Sequence, residues 1–151
     1  MFPLEADRFR GEIILIARIL LVILFVISGW GKLANYGWAV SYMATTGAPA
    51  PQIAAVLAIA IELFVGIAIL LGIFTRSFAL LMALFTLVAA FIGHRYWTMT
   101  GADQYSNEMH FYKNVSIVGG FLLLYITGAG KYSLDTALGK EFRVGRNVKY
   151  S

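Results

Sequence analysis

The chain has 151 residues, of which 60% are apolar and 13% charged, whereas soluble domains average about 45–50% apolar and about 25% charged residues. Its 12 basic and 8 acidic residues are too few to cover a soluble domain of this size, which excludes an ordinary cytosolic globule and a disordered chain. The absence of cysteine excludes a disulfide scaffold, a thiolate nucleophile and Cys-ligated zinc or iron–sulfur clusters. The composition predicts a small all-α membrane protein that crosses the bilayer several times.

Four apolar runs are separated by polar connections. A helix needs roughly 20 apolar residues, at about 1.5 Å each, to cross about 30 Å of hydrocarbon; three of the runs meet this length and the fourth nearly does. The predicted helices cover about 13–32, 53–74, 77–94 and 111–128, and form one domain over residues 1–151. The second follows Pro49 and Pro51, which mark a helix start. The connections at about 33–52 and 94–110 are predicted to be loops.

The distribution of Lys and Arg predicts the orientation, because cytoplasmic connections carry the excess of positive charge. One side of the four-helix bundle receives eight of these residues: Arg8, Arg10, Arg76, Lys131, Lys140, Arg143, Arg146 and Lys149. The other side receives three: Lys32, Arg95 and Lys113. Both termini are therefore expected in the cytoplasm, with a basic tail at about 136–151. Since orientation explains the net charge of +4, no nucleic-acid partner is expected.

Two charges lie inside the predicted spans. A charged side chain at the bilayer centre costs about 2.5–3.5 kcal/mol on insertion scales, so each needs a reason. Glu62 shares a helical face with the small or apolar residues Ala55, Ala58, Ile59, Gly66 and Ile69, which favours a position inside the bundle. Arg18 shares a stripe with Phe25, Gly29 and Lys32. One interpretation is an Arg18–Glu62 ion pair that serves assembly; another is that Glu62 binds or exchanges a proton with a substrate.

A polar cluster is predicted at the outer end of the bundle. His94 ends the third helix, at a depth similar to that of Ser28, Lys32, Lys113 and Asn114 on the first and fourth helices. With Glu62 below and the aromatic connections above, these residues predict a cavity that opens outward. His94 can carry protons near neutral pH, although a histidine at a helix end also suits the membrane interface. Two histidines and no carboxylate cluster of suitable spacing predict no metal site.

Several motifs resemble the DoxX family of bacterial membrane proteins over roughly Ile13–Asp135. In chain order they are Ser28-Gly29-Trp30-Gly31-Lys32, Glu62-Leu63-Phe64-Val65-Gly66, Leu71-Gly72-Ile73-Phe74-Thr75-Arg76, His94, Lys113-Asn114-Val115-Ser116-Ile117-Val118-Gly119-Gly120 and Gly128-Ala129-Gly130-Lys131-Tyr132-Ser133-Leu134-Asp135. The stretches Tyr42-Met43-Ala44, Gly47-Ala48-Pro49 and 92–101 resemble its YphA-like branch. The resemblance implies a multi-pass four-helix bundle in the bacterial inner membrane. More loosely, it implies a role in redox reactions, in association with a quinone oxidoreductase or with membrane complexes that handle redox stress.

Two functions follow as hypotheses. In the first, the protein is a component of a quinone-linked oxidoreductase that binds a quinone or similar amphipathic molecule inside the bundle. Glu62 and His94 would then be catalytic as proton carriers, and Ser28, Lys32, Lys113 and Asn114 would bind the ligand. In the second, it is a non-enzymatic module that assembles with a membrane or periplasmic partner protein. The many glycines also permit a homo-oligomer, and neither hypothesis needs a covalently bound cofactor.

Overall fold

The computed structural model describes residues 8–139, and within that range the chain forms helices and no strands. The helices are α1 (Arg10–Ala34), α2 (Tyr36–Thr45), α3 (Pro51–Leu71), α4 (Thr75–Gly93), α5 (Gly101–Thr127) and the short α6 (Leu134–Ala137), with a 3-10 turn at Tyr96–Thr98. The middle of α3, Ala60–Val65, is π-helical, between α-helical segments at Pro51–Ile59 and Gly66–Leu71.

Three helices of the described residues are long and apolar enough to cross a membrane. They are Arg10–Ala34, Pro51–Leu71 and Thr75–Thr98, the last of which includes the turn that follows α4. Their outward faces are apolar, as in α1, where Leu20 is 67% and Ile27 64% exposed. Such a continuous apolar surface suits hydrocarbon rather than water. This confirms the prediction of an all-helical protein that can cross the bilayer more than once.

Neither connection that was predicted as a loop is wholly irregular. Residues 33–52 contain α2. The Asn35 side chain caps its first turn, because it accepts a hydrogen bond from the Trp38 amide at 3.2 Å. Helix α5 begins at Gly101 rather than near 111, with Asp103 in its first turn, where a carboxylate is favoured by the helix dipole. Both loop predictions are therefore wrong over these helical residues. Of the predicted basic tail, residues 140–151 lie outside the described residues.

The core is formed where α1, α3, α4 and α5 meet. It contains Val22, Phe25, Ile69, Ala79, Met82, Ala83, Phe121 and Leu124. The face predicted to surround Glu62 is buried throughout, as predicted: Ala55, Ala58, Ile59, Gly66 and Ile69.

Helices α1 and α3 are in close contact at Gly29. A Cβ atom at this position would lie only 2.6 Å from the backbone nitrogen of Leu63. The missing side chain of Gly29 therefore allows α1 to pack directly on the π-helical segment, one residue from Glu62.

A strap, residues 128–135, crosses the opposite end of the bundle. The Asp135 carboxylate accepts hydrogen bonds from the amides of Phe74 (3.0 Å) and Thr75 (3.1 Å) at the start of α4. The Asp135 amide in turn donates to the Gly72 carbonyl at 2.9 Å. The strap thus joins the end of α5 to the junction between α3 and α4.

Candidate functional site: a polar cavity at the Lys32 end

A buried ion pair joins α1 to the π-helical segment of α3. Lys32 Nζ donates to Glu62 Oε2 at 2.6 Å and to Ser28 Oγ at 2.5 Å. The two charged residues are 7% and 8% exposed. Ser28 and Lys32 lie four residues apart on one face of α1, which brings their side chains together. π-Helical turns often occur at functional sites, and here the turn carries Glu62.

This ion pair borders a cavity of about 490 Å³, the Lys32 cavity, whose wall is formed by α1 to α5. The polar side chains of its wall are Ser28, Lys32, Tyr42, Thr46, Glu62, Thr86, His94 and Asn114. Apolar side chains such as Phe25, Ile61 and Phe85 form most of the remaining wall. A second cavity of similar volume, between α1 and α5, has walls that are apolar except at Arg18 and Thr127. The Lys32 cavity is therefore the better candidate for a site of polar recognition.

Helix α2 and the residues that follow it cover one side of the Lys32 cavity. Tyr42, Met43, Thr46 and Ala48 belong to its wall, in agreement with the predicted covering by the first connection. The Arg95 guanidinium donates to the Thr46 carbonyl at 2.9 Å, which attaches the end of α2 to the residue after His94.

His94 lies in the cavity wall, and its contact with Asn107 assigns the proton on Nδ1 of the ring. The Asn107 amide group donates from Nδ2 to the Asp103 carbonyl at 3.0 Å, so its Oδ1 faces His94 as an acceptor. His94 Nδ1 lies 3.1 Å from that oxygen and must carry the proton it donates. In the neutral ring, Nε2 is then the basic nitrogen. Asn107 was not among the predicted site residues, because its distance in sequence from His94 hides the contact.

Lys113 lies outside the cavity wall, unlike the other residues predicted to bind a ligand. Its ammonium donates to His110 Nδ1 at 3.0 Å on the exposed surface of α5. The His110 ring lies 5.2 Å from the His94 ring, measured between centroids. The structure thus brings together Ser28, Lys32, Glu62, His94 and Asn114 in one cavity wall, and leaves Lys113 beside it.

The predicted Arg18–Glu62 ion pair is wrong. Arg18, which is 2% exposed, donates to the carbonyls of Ala129 at 2.5 Å and Tyr132 at 2.7 Å, both in the strap. Glu62 is paired with Lys32 instead. The helical stripe places Arg18 and Lys32 on the buried face of α1, but the packing of α3 and the strap decides which partner each one meets.

The wall of the Lys32 cavity carries an ammonium, a carboxylate and an imidazole among mostly apolar side chains. An ammonium has three N–H donors. Within the described residues, the Lys32 ammonium donates one to Ser28 and one to Glu62. One donor therefore remains for a ligand. The carboxylate of Glu62 and the imidazole of His94 can accept or release protons. These groups can hold and protonate the polar head of an amphipathic molecule.

Comparisons with known proteins identify the family. The DoxX family matches residues 13–95. The chain is 49% identical over 126 residues to inner membrane protein YphA of Escherichia coli (strain K12). The aligned residues cover 83% of this chain and 90% of that protein. The chain is 43% identical over 129 residues to inner membrane protein YqjF of the same organism, or 85% of this chain and 94% of that protein.

A shorter match reaches a eukaryotic protein. The Surfeit locus protein 4 homolog of Schizosaccharomyces pombe is 35% identical over 69 residues, which is 44% of this chain and 23% of that protein. No solved structure matches the chain. The two inner membrane relatives cover most of both chains, and their names agree with the apolar helices described above. The chain therefore belongs to the DoxX family and is a multi-pass protein of the bacterial inner membrane.

Proposed function

We propose that the Lys32 cavity binds the polar head of an amphipathic small molecule within the membrane. The observation that carries this proposal is the Lys32–Glu62 ion pair, which is buried yet borders a cavity of about 490 Å³. Burying two charges is costly, and such a pair is often no more stabilising than an apolar pair of the same size. An ion pair that served assembly alone would not need to border a cavity. A role in ligand binding explains why the pair is buried beside a cavity, whereas a contribution to stability alone does not.

The ligand class that we propose is a quinone, and the protein is then a component of a quinone-linked oxidoreductase. The wall offers donors for a carbonyl oxygen and apolar surface for a ring and its substituent, which fits such a head. A quinone, when bound, itself supplies the electron transfer. Lys32 donates a hydrogen bond to a head-group oxygen, and Glu62 holds or accepts a proton beside it. His94 exchanges protons through Nε2.

We also propose that all four long helices cross the membrane, with both termini in the cytoplasm. The surface of α5 supports a fourth span, since Leu123 is 69% and Ile126 68% exposed in its apolar second half. The cysteine-free sequence allows single-cysteine labelling with a membrane-impermeant maleimide. Tyr105→Cys should be labelled on intact spheroplasts, and Leu138→Cys only after permeabilisation. Labelling of Leu138→Cys on intact spheroplasts would contradict the orientation.

The proposed binding is tested by gentle purification from native membranes and mass spectrometry of every bound molecule. The wild-type protein should retain a stoichiometric quinone, and Lys32→Met and Glu62→Gln should lose it while eluting as folded protein in gel filtration. Lys113→Met is the matched control, because it removes a lysine from the same end without altering the cavity wall. Retention of the quinone by Lys32→Met would refute the assigned site.

The alternative is a non-enzymatic module that assembles with a partner protein. The stacked rings of Trp38 and Tyr42 favour it, since their centroids are 5.4 Å apart and Trp38 is 54% exposed. Exposed tryptophan is common at interfaces. The same purification distinguishes the two functions: a stoichiometric protein partner without any small molecule would favour assembly. Trp38→Ala should then lose the partner.

A further inference from the structure

Thr86 carries a buried hydroxyl group that the helix does not use. Thr86 is 1% exposed, and its Oγ1 has no hydrogen-bond partner within the described residues. The residue belongs to the wall of the Lys32 cavity. Buried hydroxyl groups in proteins are nearly always hydrogen-bonded to protein or to an ordered molecule. Because Thr86 lines the Lys32 cavity, a molecule bound there can supply the missing partner.

The surrounding sequence makes this hydroxyl group conspicuous. Between Phe78 and Gly93, Thr86 is the sole residue with a polar side chain. Valine would occupy nearly the same volume without introducing a polar group. The hydroxyl thus adds nothing to the apolar packing of α4, while it offers both a donor and an acceptor.

Thr86 and the ion pair reach the same cavity from different helices. Lys32 and Glu62 extend from α1 and α3, and Thr86 extends from α4. They form two separate polar positions, because Lys32 donates to Ser28 and Glu62 and makes no hydrogen bond with Thr86. A ligand that satisfies both positions needs two polar groups on one compact head.

Resting on the proposed binding function, we propose that Thr86 is a specificity-determining contact that selects head groups with two separate oxygen atoms. One oxygen is held by the Lys32 ammonium, and the other exchanges a hydrogen bond with the Thr86 hydroxyl. Molecules with a single polar group satisfy only the first position. Discrimination of this kind arises because a buried polar group left without its partner weakens binding.

The test uses two probes that differ by one hydroxyl group, 2-decylhydroquinone and 2-decylphenol, titrated anaerobically against the full chain in nanodiscs. The wild-type protein should bind the hydroquinone roughly tenfold more tightly, the ratio expected from one hydrogen bond. Thr86→Val should remove most of this preference by weakening the hydroquinone alone. Thr86→Ser, which restores the hydroxyl group, should recover it.

Thr75→Val is the matched control. Thr75 also lies on α4, is 1% exposed and has a hydroxyl without a partner in the described part of the chain, yet it is not in the cavity wall. The Thr75→Val variant should keep the wild-type preference for the hydroquinone over the phenol. If Thr86→Val keeps the preference for the hydroquinone and binding still depends on Lys32, the role of Thr86 is refuted while the proposed binding site stands. Failure of the wild-type protein to bind either probe would overturn the proposed quinone site as well.

Discussion

The two ends of the bundle each enclose one cation of α1, and they treat it differently. At one end, Arg18 is held by two carbonyls of the strap at 2.5 and 2.7 Å. At the other, Lys32 is paired with a carboxylate on the border of a cavity. Arg18 thus acts as a connector that ties α1 to the strap. Lys32 combines a structural contact with access to a ligand, so burial of a charge does not by itself indicate which role it has.

The chemistry of the two side chains suits this division. The planar guanidinium of Arg presents several donors at fixed angles and stays charged, which allows it to bind two backbone carbonyls at once. The ammonium of Lys is a compact donor on a flexible stem, so it can bind Ser28 and Glu62 and still offer a hydrogen to a ligand. Substitutions at the two ends should therefore differ in their effects on stability and on ligand binding.

The largest effect is expected at the Lys32 end from removal of one member of the ion pair. Glu62→Ala leaves the Lys32 charge buried without its partner, and should lower the free energy of unfolding by about 3–5 kcal/mol. The double variant Lys32→Met/Glu62→Met should recover most of this stability in denaturant titrations in detergent, yet bind no ligand. Ligand binding by the folded double variant would show that the pair is not part of a binding site.

Arg18→Leu should have the next largest effect. The variant loses two hydrogen bonds from a charged group, and we expect a loss of about 3 kcal/mol in the free energy of unfolding. Arg18→Lys should recover only part of this loss, because an ammonium lacks the geometry of the guanidinium. Ligand binding by the folded variants should remain that of the wild-type protein. Weakened binding would mean that the two ends are coupled.

Gly29→Ala tests the helix crossing that positions the ion pair. The new Cβ would meet the Leu63 backbone at 2.6 Å, so α1 and α3 must move apart, at a cost of about 1–3 kcal/mol. Gly31→Ala is the control, because a Cβ there meets nothing within 4 Å. It should stabilise α1 by up to about 1 kcal/mol through helix propensity. Equal stability of the two variants in thermal denaturation would contradict the close crossing.

The smallest effect is expected from Lys131 on the strap. Its ammonium donates to Glu12 at 2.7 Å on the protein surface, and the hydrogen bonds to Glu12 and Tyr132 raise the pKa of Lys131 above its ordinary value of 10.5. A raised folded-state pKa adds stability that is fully present below pH 10.5 and is lost as the pH rises through the folded-state value. The thermal midpoint of Lys131→Met should therefore approach that of the wild-type protein at high pH. A constant difference would exclude this contribution.

Much of the architecture could be predicted because it depends on local patterns. The length of each apolar run predicts a span, and the helical stripe through Arg18 and Lys32 predicts their buried face. The small residues around Glu62 similarly predict a close packing of helices. By contrast, the sequence does not predict α2 or the first turns of α5, because their polar and aromatic residues form no apolar run. Asn35 caps α2, and Asp103 lies in the first turn of α5, where the helix dipole favours a carboxylate.

The sequence alone determined that this is a helical membrane protein with charges on the inner faces of its helices, because hydropathy and helical periodicity are properties of neighbouring residues. It also predicted a polar cluster at one end of the bundle, with Glu62 below it; the members of this cluster are Ser28, Lys32, His94, Lys113 and Asn114. The packing of the helices, by contrast, pairs Glu62 with Lys32 rather than Arg18 and brings Asn107 against His94. The partners of Glu62 and Arg18 depend on the crossing at Gly29 and on the path of the strap, and the His94 contact depends on the packing of α5 beside the end of α4; no local pattern specifies either.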